Sequence, residues 1–187
     1  VPTELLPCPN IRIYQMYQWT WMFDGYQFNP TWQADGNYDD YLVNAKENKQ
    51  EVIFCINKIP GLLSAQNRPD WQWGRIHREG CNPEDPESYK EVAEYAWQIG
   101  ARYGSYSYPD NLLKISSTPK YQNAPINVKR SGLDLIKYIE FENEPDRPWN
   151  DDFGKYTPQQ LAAFCSATWD GHQGTLGPNF GVKNADD

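Results

Sequence analysis

The chain has 187 residues, enough for one domain with a sizeable core, and it is acidic, with 25 Asp and Glu against 17 Lys and Arg. That balance disfavours nucleic acid and anionic membrane surfaces as partners, because phosphate binding needs a basic face. No apolar run reaches the roughly 18–20 residues of a transmembrane helix, and two histidines with four dispersed cysteines leave little material for a zinc site, a His cage or a Ser-His triad.

Read from the N-terminus, "IRIYQMYQWTWMF" (Ile11–Phe23) is rich in β-branched and aromatic residues and predicts a strand running into a loop. "FDGYQFNPTWQADG" is dense in turn residues and reads as loop. "NYDDYLVNAKENKQ" predicts a helix: Asn37 caps it, Asp39 and Asp40 suit its positive end, and Tyr38, Tyr41, Leu42 and Ala45 form an apolar face. "EVIFCI" (Glu51–Ile56) is a near-continuous apolar run, as in a strand buried on both faces, with Cys55 as a small buried hydrophobe.

A long polar loop follows, from Asn57 to Asp85, in which His77 reads as a surface residue. "DPESYKEVAEYAWQIGARYG" is the clearest helix, with Asp85 as cap, Pro86 in the first turn, Gly104 at the end and Val92, Ala93, Ala96, Trp97 and Ile99 inward. "LIKYIEFENEP" reads as a third strand, and "TPQQLAAFCSATWDG" as a helix with a Thr157–Gln160 capping box, Pro158 at its first position and Gly171 at its end. Strands alternating with helices predict an α/β fold with parallel strands.

The chain carries 8 Trp, 13 Tyr and 7 Phe, yet its overall composition is hydrophilic. Trp19, Trp21 and Trp149 fall just after predicted strand ends. Such rings either stack on the apolar faces of sugars or pack at the edge of the core.

In parallel α/β folds catalytic groups gather at the carboxyl ends of strands. Glu144 is placed there, with Asn143 beside it and Pro145, which lacks an N–H, expected to stop the ladder. A carboxyl that donates a proton at neutral pH needs a raised pKa, which an aromatic surround supplies. "YIEFENEPD" resembles the acid/base strand of the clan A retaining glycoside hydrolases, which are built on a (β/α)₈ barrel.

The resemblance implies that Glu144 is the general acid/base and that Asn143 binds the sugar 2-hydroxyl. Glu140 matches an acidic residue found four positions earlier in some relatives, and Glu142 departs from the pattern. "NIRIY" resembles the second strand, whose Arg supports the catalytic carboxylates, here Arg12. Trp19, Trp21 and Trp149 become candidate sugar-stacking residues, with Tyr14 or Gln15 lining the cleft. A carbohydrate substrate, no metal, no cofactor and a secreted or periplasmic location are implied.

A barrel of this kind takes about 250 residues or more. The expectation is therefore a single incomplete catalytic domain over residues 1–187: a partial TIM barrel covering strands two to four and the following helix. Retaining chemistry needs a second carboxylate about 5–5.5 Å from the first, and no convincing nucleophile is found in the chain, which is expected to be inactive alone. The alternative is a non-catalytic carbohydrate-binding protein on the same scaffold.

Overall fold

The computed structural model describes residues 9–16, 27–31, 37–57, 76–78, 80–119, 123–146 and 155–185. In chain order these form β1 (Asn10–Met16), α1 (Tyr38–Glu47), β2 (Glu51–Asn57), α2 (Lys90–Tyr103), β3 (Tyr138–Phe141) and α3 (Pro158–Asp170). The strands make one parallel sheet in the order β1-β2-β3, with Tyr14 opposite Cys55 and Cys55 opposite Glu140.

Side chains alternate across a strand, and here the alternation separates chemistry. Ile11, Ile13, Val52, Phe54, Ile56, Ile139 and Phe141 turn to one face and belong to or pack on the hydrophobic core. All three helices lie on that face. The Phe54 ring sits 5.5 Å from Tyr38 of α1 and 6.0 Å from Tyr103 of α2, and Phe141 meets Phe164 of α3 edge-on at 6.0 Å. Arg12, Tyr14, Cys55 and Glu140 turn to the opposite face.

The helix signals act where the sequence places them, with differences of detail. The Asn37 side chain accepts the Asp39 N–H at the start of α1. Asp85 caps a 3₁₀ turn, Pro86–Tyr89, that leads into α2. The Thr157–Gln160 capping box opens α3, and Gly171 closes it in the left-handed region at φ 66. A Cβ there would sit 2.8 Å from the Phe180 carbonyl oxygen, so the position needs glycine.

Asp39 lies in the first turn of α1 as expected, and its carboxylate also reaches a second partner. Its carboxylate accepts from Arg102 Nε at 2.9 Å, pairs with Arg102 Nη2 and accepts the Tyr103 hydroxyl at 2.8 Å. Arg102 is 1% exposed and also donates to the carbonyls of Val128 and Arg130. Burial opposes its charge, but the hydrogen bonds to Asp39 and the fields of Tyr103 and Asp39 outweigh it, raising the guanidinium above its ordinary pKa. This buried pair ties α1 to the end of α2.

Two expectations change and a third gains detail. The third strand is shorter than Leu135–Pro145; at its start the N–H groups of Leu135 and Ile136 both go to the Tyr103 carbonyl at the end of α2. The last carbonyls of a helix have no partner within it, and these donors supply one. His77 is buried rather than on the surface, 6.4 Å from the Tyr89 ring. The stretch "FNPT" within the predicted loop is core: Phe28 pairs with Ile115, and Asn29 joins Thr31 and Asn127 in a buried polar knot.

Cys55, Cys81 and Cys165 are free thiols. Among the described residues no helix is long and apolar enough to cross a membrane, and no group of three or more His, Cys, Asp or Glu could hold a metal ion.

Candidate active site

The polar face of the sheet carries a connected set of side chains. Glu140 grips Arg12 with both carboxylate oxygens: Arg12 Nε donates to Oε2 and Nη2 to Oε1, each at 2.6 Å. This two-point grip fixes the guanidinium plane. The guanidinium then has directions to spare. Nη1 donates to the Tyr14 hydroxyl at 2.5 Å, and Nη2 also donates to Asn143 Oδ1 at 2.9 Å. The Arg12 guanidinium also lies 4.7 Å from the Tyr14 ring centre. Its pKa is raised, first by the hydrogen bond to Glu140.

Asn143 passes the order onward. Its Oδ1 accepts from Arg12 and from the Tyr14 hydroxyl, and its Nδ2 donates to Glu144 Oε2 at 3.0 Å. Arg has donors only. The amide oxygen must therefore face Arg12, which leaves the NH₂ group to face Glu144.

Beneath the set lies Cys55, fully buried, its sulfur 3.8 Å from Arg12 Nη2 and donating to the Glu142 carbonyl at 3.7 Å. Burial, reinforced by the Glu140 charge, pushes the thiol up to about 12. It stays a neutral thiol across the physiological range, a packing group under a charged cluster and no nucleophile.

The backbone after β3 explains how Asn143 joins this set. Strict alternation would put Asn143 on the helix face with Phe141, and Glu142 and Glu144 on the polar face with Glu140. Instead Glu142 and Glu144 both lie in the left-handed region, at φ 66 and φ 53. Such a conformation costs non-glycine residues about 1–2 kcal/mol. Glu142 is held in it by its N–H to the Ile56 carbonyl at 2.8 Å and by the Cys55 contact to its own carbonyl.

The twist delivers Asn143 to Arg12 and Tyr14, buries Glu142 at 2% exposure and leaves Glu144 exposed beyond the strand end. The expectation that Glu140, Glu142 and Glu144 continue one alternating strand is therefore corrected. Pairing stops at Phe141, four residues before the proline.

Of the sequence-predicted residues, Arg12, Asn143 and Glu144 come together, and Tyr14 joins them. Trp19, Trp21 and Trp149 lie outside the described residues. The role of Glu140 was missed: in the register it lies across from Tyr14 through Cys55, two residues along from the Arg12 row, and nothing local in the sequence signals that meeting. Compared with models of known families, with curated proteins and with solved structures, the chain matches none.

Proposed function

We propose that this chain is part of a retaining glycoside hydrolase acting on a β-linked glycoside or polysaccharide, with Glu144 as general acid/base. The observation that carries the reading is the Arg12–Asn143–Glu144 chain of hydrogen bonds at the carboxyl end of a parallel sheet. Glu144 is exposed rather than set in the aromatic surround expected of it, and what the structure offers for the role is direction: the Asn143 amide fixes where the carboxyl points.

Glu144 protonates the leaving oxygen as a second carboxylate attacks the anomeric carbon. It then takes a proton from the water that releases the sugar. Among the described residues, Glu140 is committed to Arg12 and Glu142 is buried, so neither serves as that second carboxylate. Asn143 binds the sugar 2-hydroxyl, and Arg12 supports it.

A (β/α)₈ barrel is the proposed architecture, with the three strands as one arc. Its support is the strand order 1-2-3 with every helix on one face and polar groups on the other. A groove of 740 Å³ beside β3, lined by Ile136, Tyr138, Ile139, Cys165 and Trp169, is the proposed seat of the next βα unit. The test is stereochemical. Proton NMR should show the full-length enzyme releasing the β-anomer first from a β-glucoside, β-xyloside, β-galactoside or β-mannoside. First release of the α-anomer, or no hydrolysis of any of the four, overturns the reading.

A further inference from the structure

We infer that Glu140 is a positioning residue for the proton transfer at Glu144, acting through Arg12 and Asn143; the inference rests on the assignment of Glu144 as acid/base. A lone Arg–carboxylate pair as exposed as this one, with side chains 34% and 38% accessible, adds little to stability. Its geometry does something else. Both Glu140 oxygens are taken by one edge of the guanidinium, so the Arg12 plane cannot turn about its stem.

With that plane fixed, Nη2 points at Asn143 Oδ1 and Nη1 at the Tyr14 hydroxyl, which itself reaches Asn143 Oδ1 at 3.3 Å. The amide oxygen is bracketed by two donors. An amide bracketed on its oxygen can offer Glu144 only its NH₂, and Glu144 Oε2 accepts it. Removing the Glu140 charge frees the guanidinium to rotate and releases the amide, so the carboxyl at Glu144 loses the donor that sets its direction. The backbone on either side of Asn143 is in the left-handed region, so the side-chain chain, not a regular strand, defines where Glu144 points.

The arrangement separates roles. Glu144 meets the substrate; Glu140 reaches it only through two intermediaries. A misplacement of about 1 Å costs up to roughly a hundredfold in rate. The effect should fall on steps that need the acid. A methyl glycoside needs its leaving oxygen protonated, whereas a 2,4-dinitrophenolate leaves without help.

The experiment compares wild type, Glu140→Gln and Glu144→Gln of the full-length enzyme, using methyl and 2,4-dinitrophenyl β-glycosides of glucose, xylose, galactose and mannose. Glu140→Gln should lower kcat/KM on the methyl glycoside by roughly tenfold to a hundredfold and on the dinitrophenyl glycoside by much less. The Asn143 side-chain NH₂ signal, assigned by its loss in Asn143→Asp, should exchange faster with water in Glu140→Gln at an unchanged unfolding temperature. Arg12→Met should reproduce both effects if Glu140→Gln folds poorly.

Equal losses on both substrates, or an unchanged NH₂ signal, overturn the positioning role even where Glu144→Gln shows the leaving-group split. Absence of that split in Glu144→Gln overturns the acid/base assignment and this inference with it.

Discussion

Glu144→Gln should lower kcat/KM of the full-length enzyme on methyl β-glycosides by about 10²–10⁴-fold, and on 2,4-dinitrophenyl β-glycosides by less than about tenfold. The amide keeps the size and the hydrogen-bonding reach of the carboxyl but has no proton to give. Cleaving an alkyl glycoside without acid expels an alkoxide. Cleaving a dinitrophenyl glycoside expels a stable phenolate, so kcat/KM, which reports the first step, is nearly spared.

The second step still needs a base, so kcat on the activated substrate should fall while the glycosyl-enzyme accumulates and KM drops with it. Parallel loss on both substrates would mean that the substitution damages binding or folding. Steady-state kinetics on the two substrates decides between these outcomes.

The largest stability effect is expected at Asp39. Arg102 lies 1% exposed beneath it, with the Asp39 side chain itself 18% accessible. Taking away one partner of a buried pair leaves an uncompensated charge and costs about 3–5 kcal/mol. Asp39→Ala should cost this much in urea denaturation, since two backbone carbonyls from Val128 and Arg130 cannot replace a carboxylate.

The buried hydroxyl of Tyr103 loses its acceptor too. Burial, then the Asp39 charge, holds that phenol well above its ordinary pKa, so it remains a donor that needs a partner. Asp39→Leu combined with Arg102→Met should recover much of the loss, because the apolar pair leaves no charge behind. A loss under about 1 kcal/mol for Asp39→Ala would contradict the account of this junction.

Local signals in the sequence carried the helices well. Asn37, Asp85, Thr157 with Gln160, and Gly171 act where spacing placed them, because caps depend on residues two to four apart. The inward positions Val92, Ala93, Ala96, Trp97 and Ile99 of α2 were legible from helical spacing, but burial runs through every residue from Tyr95 to Tyr103, which spacing does not show. Parallel pairing could be expected from the alternation of strands with helices.

Tertiary competition decided the rest. Leu135 and Ile136 have strand composition, but α2 needed their N–H groups. Asp39 is the helix-end acid the sequence suggests, but its pairing with Arg102, more than sixty residues away, has no local signal. The alternating acids of "EFENE" suggest one continuous strand, and nothing local announces that Glu142 turns left-handed and delivers Asn143 to the face of Glu140. Arg12 and Asn143 were legible as separate site residues. Their link through Glu140 depends on register across two strand pairs, which single-chain spacing does not encode.

The carboxyl held by Asn143 is proposed as the acid/base of a retaining glycosidase. Its most direct test is azide trapping with Glu144→Ala and a 2,4-dinitrophenyl β-glycoside. With the carboxyl gone, the glycosyl-enzyme forms but water is not activated, and azide can attack through the vacated space on the β face. The account predicts faster turnover with azide and a β-glycosyl azide product by NMR. An α-glycosyl azide would make Glu144 the nucleophile, and no effect of azide would remove it from the chemistry; either result contradicts the account.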